Sequence, residues 1–332
     1  MTVYPIQPAA LGAVRTYPLL SRKSKVSVQN FSKPAAVNLS LPKFLDSLPT
    51  ILAANDLREV SAAIRQAKQK RKAILWGIGG HVIKVGLSPV INDLMRRGFI
   101  SGIAMNGAAL VHDFEIALSG ATSEDVDASL PSGEFGMATE TGLFLNQIAV
   151  TATFNGIGYG EAVGKFLATR KLQQQNAAAS ILLQAYKLKI PVTIHLAIGT
   201  DIPHMHPMAD GAALGAVSLH DFRLFCALVA KMDDGGAYLN WGSAVILPEI
   251  FLKAVAIARN QRVSLKNITT ANFDFIQHYR PLQNVVKRPT AAGNARNSTS
   301  RGFALTGHHE LLMPLLAAAL VAGWPKKSSR TK

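Results

Sequence analysis

Cysteine is nearly absent from this chain of 332 residues, which contains only Cys226. A single cysteine excludes intrachain disulfides and zinc sites built on several cysteines. Cys226 lies within the apolar run FRLFCALVA, and an unpaired thiol in such a run is typical of a buried structural residue. We therefore expect no catalytic role for this thiol.

Long hydrophobic runs are also missing. The longest one near the carboxyl end, residues 311–322, covers 12 positions, whereas a membrane-spanning helix needs about 20. This run predicts a buried helix. Residues 1–41 lack the apolar core of a secretory signal, and although their basic residues without acids resemble a transit peptide, they show no amphipathic helical pattern. A cytoplasmic location without a membrane partner is the resulting prediction.

Acidic residues are scarce in three segments, so the net charge of +15 is unevenly placed. Residues 1–45 contain six lysines and arginines and no acid, residues 253–303 contain nine against one aspartate, and residues 324–332 contain four and no acid. Together these segments carry +18, so the rest of the chain carries −3. Basic tails suit nucleic acid, but no nucleic-acid motif accompanies them, and we do not expect nucleic-acid binding.

Proline content and charge divide the chain into three parts. Residues 1–41 hold four prolines and no sustained period, which predicts an extended basic arm. Residues 42–323 are predicted to form a single α/β domain, and residues 324–332 a basic tail. Within the domain, residues 280–302 are rich in Arg, Asn, Ser, Thr and Gly, and are predicted to be a long loop.

The common phosphate-loop fingerprints are absent, since no GxGxxG follows a strand and no GxxxxGK[ST] occurs. The chain is instead organised around residues 73–125. There a predicted strand, 73–76, leads into Gly79 and Gly80, a helix follows over 88–97, and a second strand covers 100–105. Polar residues just beyond both strands indicate the ligand site of an open α/β sheet.

Helices and apolar strands alternate through the rest of the chain. Further strands are predicted at 190–198, 236–241 and 267–273, and helices from 123–125 onward and at 139–154, 177–186, 219–232, 245–258 and 309–322. The glycine-rich run 156–167 follows a helix, so it is interpreted as an interhelical turn. This alternation predicts an α/β fold with a doubly wound, mainly parallel sheet and helices on both faces.

Residues 77–120 resemble the NAD-binding half of deoxyhypusine synthase. A glycine-bearing loop and the segment GLSPVINDLMRRGFISGIAMNGAALVHDFEIAL match that family's helix of the type GLRxxIxxLIxxGxVD and the strand after it. A weaker resemblance extends over about residues 43–319. It implies an NAD-binding-like domain over 42–323, NAD as cofactor, a small polyamine-like amine as substrate, and a homotetramer.

Four polar clusters follow predicted strands, and the carboxyl ends of parallel strands meet at one edge of a sheet. The densest cluster is GTDIPHMHPMADG, residues 199–211. With the resemblance, the residues expected to bind the cofactor are Gly79, Gly80, Asn106, Gly107, Ala108, Asp113, Glu115, Thr200 and Asp201. Those expected to carry catalysis are His204, His206, Asp274 and His278.

Two of these groups admit other interpretations. His204 and His206, with Asp201 or Asp210, form a possible divalent-metal site of a hydrolase. Alternatively, the two histidines satisfy backbone groups of their own loop. Acids such as Asp113 can equally stabilise a helix N-terminus.

The family's imine-forming lysine, which lies in a SWGK-type motif, has no counterpart, because residues 291–307 read AAGNARNSTSRGFALTG. Lys84 and Lys287 are the remaining candidates, and Lys84 is expected to contact phosphate. Together with the absent lysine, the resemblance implies an NAD-dependent aminoalkyl transferase that acts on a small amine through an imine and does not make deoxyhypusine. The alternative is an inactive, ligand-binding relative.

Overall fold

The computed structural model describes residues 3–291 and 298–322. Six parallel strands form one sheet in the order β3-β2-β1-β4-β5-β6. They are β1 (Ile74–Ile78), β2 (Gly102–Asn106), β3 (Val192–His195), β4 (Ala237–Trp241), β5 (Thr269–Asp274) and β6 (Arg301–Thr306). This order is that of dinucleotide-binding sheets, and its direction reverses between β1 and β4.

Fourteen helices surround the sheet in the described ranges. Those in the first half are α1 (Leu41–Ser47), α2 (Leu52–Gln69), α3 (Gly80–Lys84), α4 (Ser88–Arg96), α5 (Gly107–Ser119), α6 (Val126–Ser129) and α7 (Thr139–Asn155). Those in the second half are α8 (Tyr159–Ala168), α9 (Gln174–Ala179), α10 (Ile181–Leu188), α11 (Gly211–Ala230), α12 (Ile246–Asn260), α13 (Tyr279–Pro281) and α14 (His309–Ala322). A π-helical segment, Leu282–Lys287, follows α13.

Both faces of the sheet are covered by helices, which confirms the predicted doubly wound α/β fold. On one face Trp241 stacks on Trp76 and Phe273, with ring centroids 5.4 and 3.9 Å apart, in the same core as residues of α2 and α14. On the other face Tyr238 stacks on Phe251 of α12 at 3.8 Å, and α11 completes the layer. Burial on both faces explains why strands such as β1, ILWGI, are apolar almost throughout.

Local signals set the limits of several elements. Helix α5 begins where the side chain of Asn106 accepts the N–H of Ala109 at 2.9 Å, and it ends at Gly120, whose φ is +77°. Of the run 156–167, which was predicted to be an interhelical turn, only residues 156–158 form that turn, because α8 begins at Tyr159 and contains Gly160 and Gly164. The helix expected from 123–125 begins at Val126, with Asp125 as its cap.

The prediction that residues 280–302 form a loop is wrong over much of that range. Residues 279–287 are helical, and β6 begins at Arg301. The sequence analysis missed β6 because its residues, RGFALT, include an exposed arginine and show only two buried positions. Likewise, the predicted helix 219–232 begins earlier, at Gly211, because Asp210 caps its first turn.

The amino-terminal segment lies outside this core. Residues 3–40 are exposed almost throughout and contain only three short 3₁₀ turns. Asn30 ties the segment to the body through a hydrogen bond from its amide to the hydroxyl of Thr50 at 3.0 Å. The predicted basic tail, 324–332, lies outside the described residues.

Helix α11 is the one helix of the described ranges that is long and apolar enough to cross a membrane by length and composition. It packs against β3 and α12, and its residues Val217, Phe225 and Val229 are buried in the core.

Candidate functional site

The loops after β1 and β4 meet where the strand order reverses. The N–H of Gly79 donates to the carbonyl of Trp241 at 2.9 Å. A methyl group on Gly79 would lie 2.3 Å from the carbonyl oxygen of Gly242, so only glycine allows this approach. Gly80 packs similarly against Ala108 and His112. The two glycines predicted from the sequence therefore hold the loops of three strands together.

A pair of histidines lies beside this meeting point. Nδ1 of His81, on α3, is 3.0 Å from Nδ1 of His309, the first residue of α14. Nε2 of His309 lies 3.2 Å from the carbonyl oxygen of Phe273 and 3.8 Å from Oδ1 of Asp274. His309 is fully buried, and burial lowers its pKa. His81 is half-buried and follows the carboxyl end of β1.

Aromatic rings surround the histidine pair. Phe275, which is 45% exposed, lies 5.7 Å from the His81 ring and 6.0 Å from the His308 ring, with His308 stacked nearly parallel to it. Such a surface offers a flat apolar side to a planar ligand next to a titratable group.

A polar cavity of about 210 Å³ opens between α3, α5 and α7, on the β2 side of the histidine pair. Glu115 accepts hydrogen bonds there from the hydroxyls of Thr122 and Thr141. The same Thr122 hydroxyl lies 2.8 Å from Nδ1 of His112. Burial and the nearby ammonium of Lys84 lower the pKa of His112 to about 4, so its ring is neutral at pH 7.

The loop after β3 covers the start of α5. The carboxylate of Asp201 lies against Gly107, where a methyl group would be 2.1 Å from its Cγ, and it accepts the N–H of Ala197 at 3.0 Å. Burial raises the pKa of Asp201. This negative charge stands at the positive end of the α5 dipole. The structure thus brings Asn106, Gly107 and Asp201 together, and their contact with a cofactor stays a prediction.

The two loop histidines bind their own backbone. Nδ1 of His204 accepts the N–H of Gly199, and Nδ1 of His206 accepts the N–H of Met208, each at 3.1 Å. Nearby Thr200 donates to the carbonyl of Ala197. Within residues 3–291 and 298–322 no group of three metal-binding side chains occurs. The interpretation in which these histidines stabilise their loop accounts for the geometry.

Asp113 does not line the polar cavity between α3, α5 and α7, which corrects the prediction that it contacts a cofactor. It is fully buried within α5 and accepts three hydrogen bonds at the start of α10: from the Ser180 hydroxyl at 2.7 Å and from the N–H groups of Ile181 and Leu182 at 2.6 and 3.0 Å. Burial raises its pKa to about 6. Asp113 stabilises a helix N-terminus, but that of α10.

The two catalytic candidates from β5 onward lie apart. Asp274 ends the strand beside His309, whereas His278 precedes α13 and is exposed. The ends of β4 and β5 are linked by amides, since Asn240 donates to Asn272 at 2.7 Å and Asn272 donates to Gln277 at 2.8 Å. This chain of buried amides fixes the loop that carries Phe275 and His278.

Three histidines at the site were absent from the predicted set: His81, His112 and His309. The first two belong to the central 73–125 stretch, where their position after strands was the available signal. His309 follows β6, which the sequence analysis missed, so nothing indicated that it returns to the end of β5.

A larger, mainly apolar cavity of about 340 Å³ lies elsewhere. It borders Val192, the first residue of β3, together with Tyr186 and Leu224. Because Val192 marks the amino end of its strand, this cavity is at the opposite edge of the sheet from the histidine pair.

No protein-family model and no curated protein matches the chain. Solved structures similar to it include the "conserved putative LOR/SDH protein" of Methanococcus maripaludis S2, with 15% identity, 82% of this chain and 70% of that chain covered, and a TM-score of 0.49. The complex of AgrE with ornithine and NAD+ has 16% identity and a TM-score of 0.48, and covers 81% of this chain but only 33% of AgrE.

A third similar structure is that of a "putative deoxyhypusine synthase" from Entamoeba histolytica. It shows 11% identity and a TM-score of 0.46 over 86% of this chain and 94% of that chain. These similarities concern the path of the chain and identify no ligand for it.

Proposed function

We propose that this protein binds a nicotinamide dinucleotide across the carboxyl ends of β2, β1 and β4 and acts on a small amine. The observation that carries the proposal is the strand order 3-2-1-4-5-6, with its reversal between β1 and β4. In open sheets of this order, ligands bind outside the carboxyl ends at the reversal. Gly79, Gly242 and the histidine pair lie at that point.

The residues at this edge fit the chemical groups of a dinucleotide. Lys84 supplies a cation for phosphate, and Glu115, already an acceptor for two hydroxyls, is suited to a ribose hydroxyl. Asn106, Gly107, Ala108 and Asp201 border the same edge. The cavity of about 210 Å³ is smaller than the ~300–1,000 Å³ of typical ligand pockets, so the dinucleotide would extend over the exposed edge.

The amine substrate follows from charge and from the sequence resemblance. The carboxylate of Asp274 stands beside the histidine pair, where it favours a nearby cation. Held at this edge, a nicotinamide cofactor would supply the acceptor for a hydride from the carbon next to the amine nitrogen, which is the chemistry that oxidises an amine to an iminium ion. The family's lysine is absent, so the acceptor of the alkyl group would be a second amine or water.

Thermal unfolding tests this function. NAD at one hundred times its Kd should stabilise the fold by about 2.7 kcal/mol and raise Tm, while zinc or manganese should not. Lys84→Ala should weaken the response to NAD, whereas Lys187→Ala, an exposed lysine of α10, serves as the matched control. A shift with metal alone that is lost in a His204→Ala/His206→Ala variant would favour the hydrolase instead.

We further propose that the protein works in the cytoplasm as a homotetramer. The tetramer follows from the family resemblance, and the twelve large apolar side chains exposed between Val3 and Val37 offer surface for contacts between subunits. Light scattering measures the assembly, and a monomer at micromolar concentration would contradict it.

A further inference from the structure

We infer that His81 is the proton acceptor of this site and that His309 is the positioning residue that fixes its tautomer. The inference rests on the proposed function only for the identity of the group that gives up the proton. The hydrogen-bond geometry that supports it does not depend on any ligand.

The tautomers follow from a chain of three groups. A carbonyl oxygen only accepts hydrogen bonds, so Nε2 of His309, 3.2 Å from the carbonyl of Phe273, must carry a proton. His309 is fully buried and burial disfavours its cationic form, so its Nδ1 is an unprotonated acceptor. His81 Nδ1, 3.0 Å away, must then be the donor. In neutral His81 this leaves the lone pair on Nε2.

That lone pair is available to a ligand. Among the described residues no hydrogen bond reaches Nε2 of His81, and the ring is half-buried at the end of β1. Phe275 packs on one side of the ring and His309 on another. The imidazole is therefore held in place at the end of β1, and within the described part of the chain its Nε2 has no hydrogen-bond partner.

Charged groups of both signs lie around the pair. Asp274 lies 3.8 Å from His309, and Glu310 is its neighbour in the first turn of α14. Lys84, at the end of the same short helix as His81, and the partner ring act in the opposite direction. When His81 takes a proton on Nε2, its Nδ1–H still donates to His309, so the contact between the two rings survives.

The proposed reaction releases a proton from the substrate, and His81 is the group that accepts it. An amine arrives as an ammonium ion and must lose an N–H proton before a hydride can leave the adjacent carbon. That proton passes to Nε2 of His81, the hydride with its two electrons reduces the nicotinamide, and the C–N single bond becomes C=N. Positioned bases of this kind contribute typically 10²–10⁴-fold in rate.

NMR of protein labelled with ¹⁵N-histidine tests the tautomers without any ligand. We expect His81 as the Nδ1–H form and His309 as the Nε2–H form near neutral pH. His309→Leu should release His81 from the Nδ1–H form, whereas His309→Asn, which keeps an acceptor near the position of Nδ1, should restore it. Finding His81 protonated on Nε2 in the wild-type protein would overturn the inference, whether or not a variant folds.

Diethyl pyrocarbonate provides the second measurement, because it reacts with an accessible, unprotonated imidazole nitrogen. Peptide mapping should show His81 modified and His309 unmodified, and NAD should slow modification of His81 but not of exposed His220 on α11. If NAD raises Tm without protecting His81, the inference fails while the proposed function stands. If NAD does not bind, the proposed function fails. The NMR measurement of the tautomers then still tests whether His81 carries its lone pair on Nε2.

Discussion

The histidines of this chain differ in what their ring nitrogens contact, and those contacts separate structural from chemical roles. His204 and His206 each use Nδ1 to accept a backbone N–H of their own loop. His81 and His309 instead contact each other across 228 positions of the sequence. The prolines around the His-x-His motif shape a loop, and the two histidines stabilise it. The His204/His206 motif, although it contains more polar residues, therefore supports a chemical role less well than the His81–His309 pair does.

Asp113 provides a prediction about stability. Asp113→Ala removes three buried hydrogen bonds to the start of α10, so we expect the free energy of unfolding to fall by roughly 3 kcal/mol. Asp210→Ala is the matched control, because this exposed aspartate caps α11, and such caps contribute about 1 kcal/mol. Urea unfolding measures both. Equal losses would contradict the role given to Asp113.

His195 provides a prediction about pH. It is buried at the end of β3, and burial lowers its pKa to about 3, below the ordinary value of 6.5. The unfolded chain therefore binds a proton below pH 6.5 that the folded chain does not, and stability falls as pH falls. His195→Gln should remove this loss, so its unfolding free energy relative to wild type should improve by about 2 kcal/mol between pH 7 and pH 5.

Comparing the unfolding free energy of the His195→Gln variant with that of wild type separates the effect of His195 from that of other titrating groups. Asp113, Asp221 and His112 also have shifted pKa values, but they titrate in both proteins and cancel in the difference. A difference that stays constant from pH 7 to pH 5 would show that His195 is not neutral in the folded state.

The missing lysine leads to a prediction about covalent chemistry. An imine-forming lysine needs a pKa lowered by burial or by a cationic neighbour, and both Lys84 and Lys287 are exposed. Incubation with NAD and labelled spermidine, followed by borohydride reduction, should leave the intact mass unchanged. An added aminobutyl mass on either lysine would instead indicate the complete synthase mechanism.

Among the elements, the loops after β1 and β4 decide the shape of the site. Gly242 adopts a φ of +63°, and its Cα faces the His309 ring closely enough that a methyl group would be 2.7 Å from Cε1. Gly79 makes the matching approach from the other strand. The Gly79 contact is with the backbone of Gly242, and the Gly242 contact is with the fully buried ring of His309, so neither contact leaves room for a side chain at the glycine.

Two glycine substitutions should therefore have opposite effects. Gly79→Ala places a methyl group 2.3 Å from the carbonyl of Gly242, so we expect lower stability and a smaller Tm response to NAD. Gly215→Ala on α11 meets nothing within 4 Å and should stabilise the helix by about 0.5–1 kcal/mol. Urea midpoints test both, and a neutral Gly79→Ala would show that the loops can separate freely.

For the whole molecule, the distribution of charge separates the arm from the body. Residues 98–164 contain eight acids and no lysine or arginine, whereas residues 1–45 are basic without an acid. The arm also exposes apolar residues such as Leu20, which is 98% exposed. A segment with this little burial contributes little to the core.

Removal of residues 1–26 should therefore leave the body folded. The cut precedes Asn30, which contacts Thr50, and Lys33, whose N–H donates to the carbonyl of Ser47. We expect Tm to stay within about 2 °C of the full chain, since surface changes alter stability by about 0.5 kcal/mol or less. Light scattering of both proteins shows whether assembly needs the arm, and aggregation of the shorter one would place the arm in the core.

Sequence patterns of short range predicted the fold class well. The apolar runs of β1 and β2, the proline at the start of α4 and the asparagine at the start of α5 determine their elements through contacts a few residues away. Because parallel strands place their carboxyl ends together, the same patterns also predicted which edge of the sheet holds the candidate site. The patterns did not predict β6, because only two of its six positions are buried.

Tertiary structure alone decided which side chains meet at that edge. Asp113 and Glu115 are two positions apart, yet packing turns the first toward α10 and the second toward the cavity between α3 and α7. His81 and His309 become partners only because α14 returns from β6 to the end of β5. Local sequence determines whether a segment is a helix or a strand, but hydrogen-bond partners and burial, which set protonation, depend on residues far away in the chain.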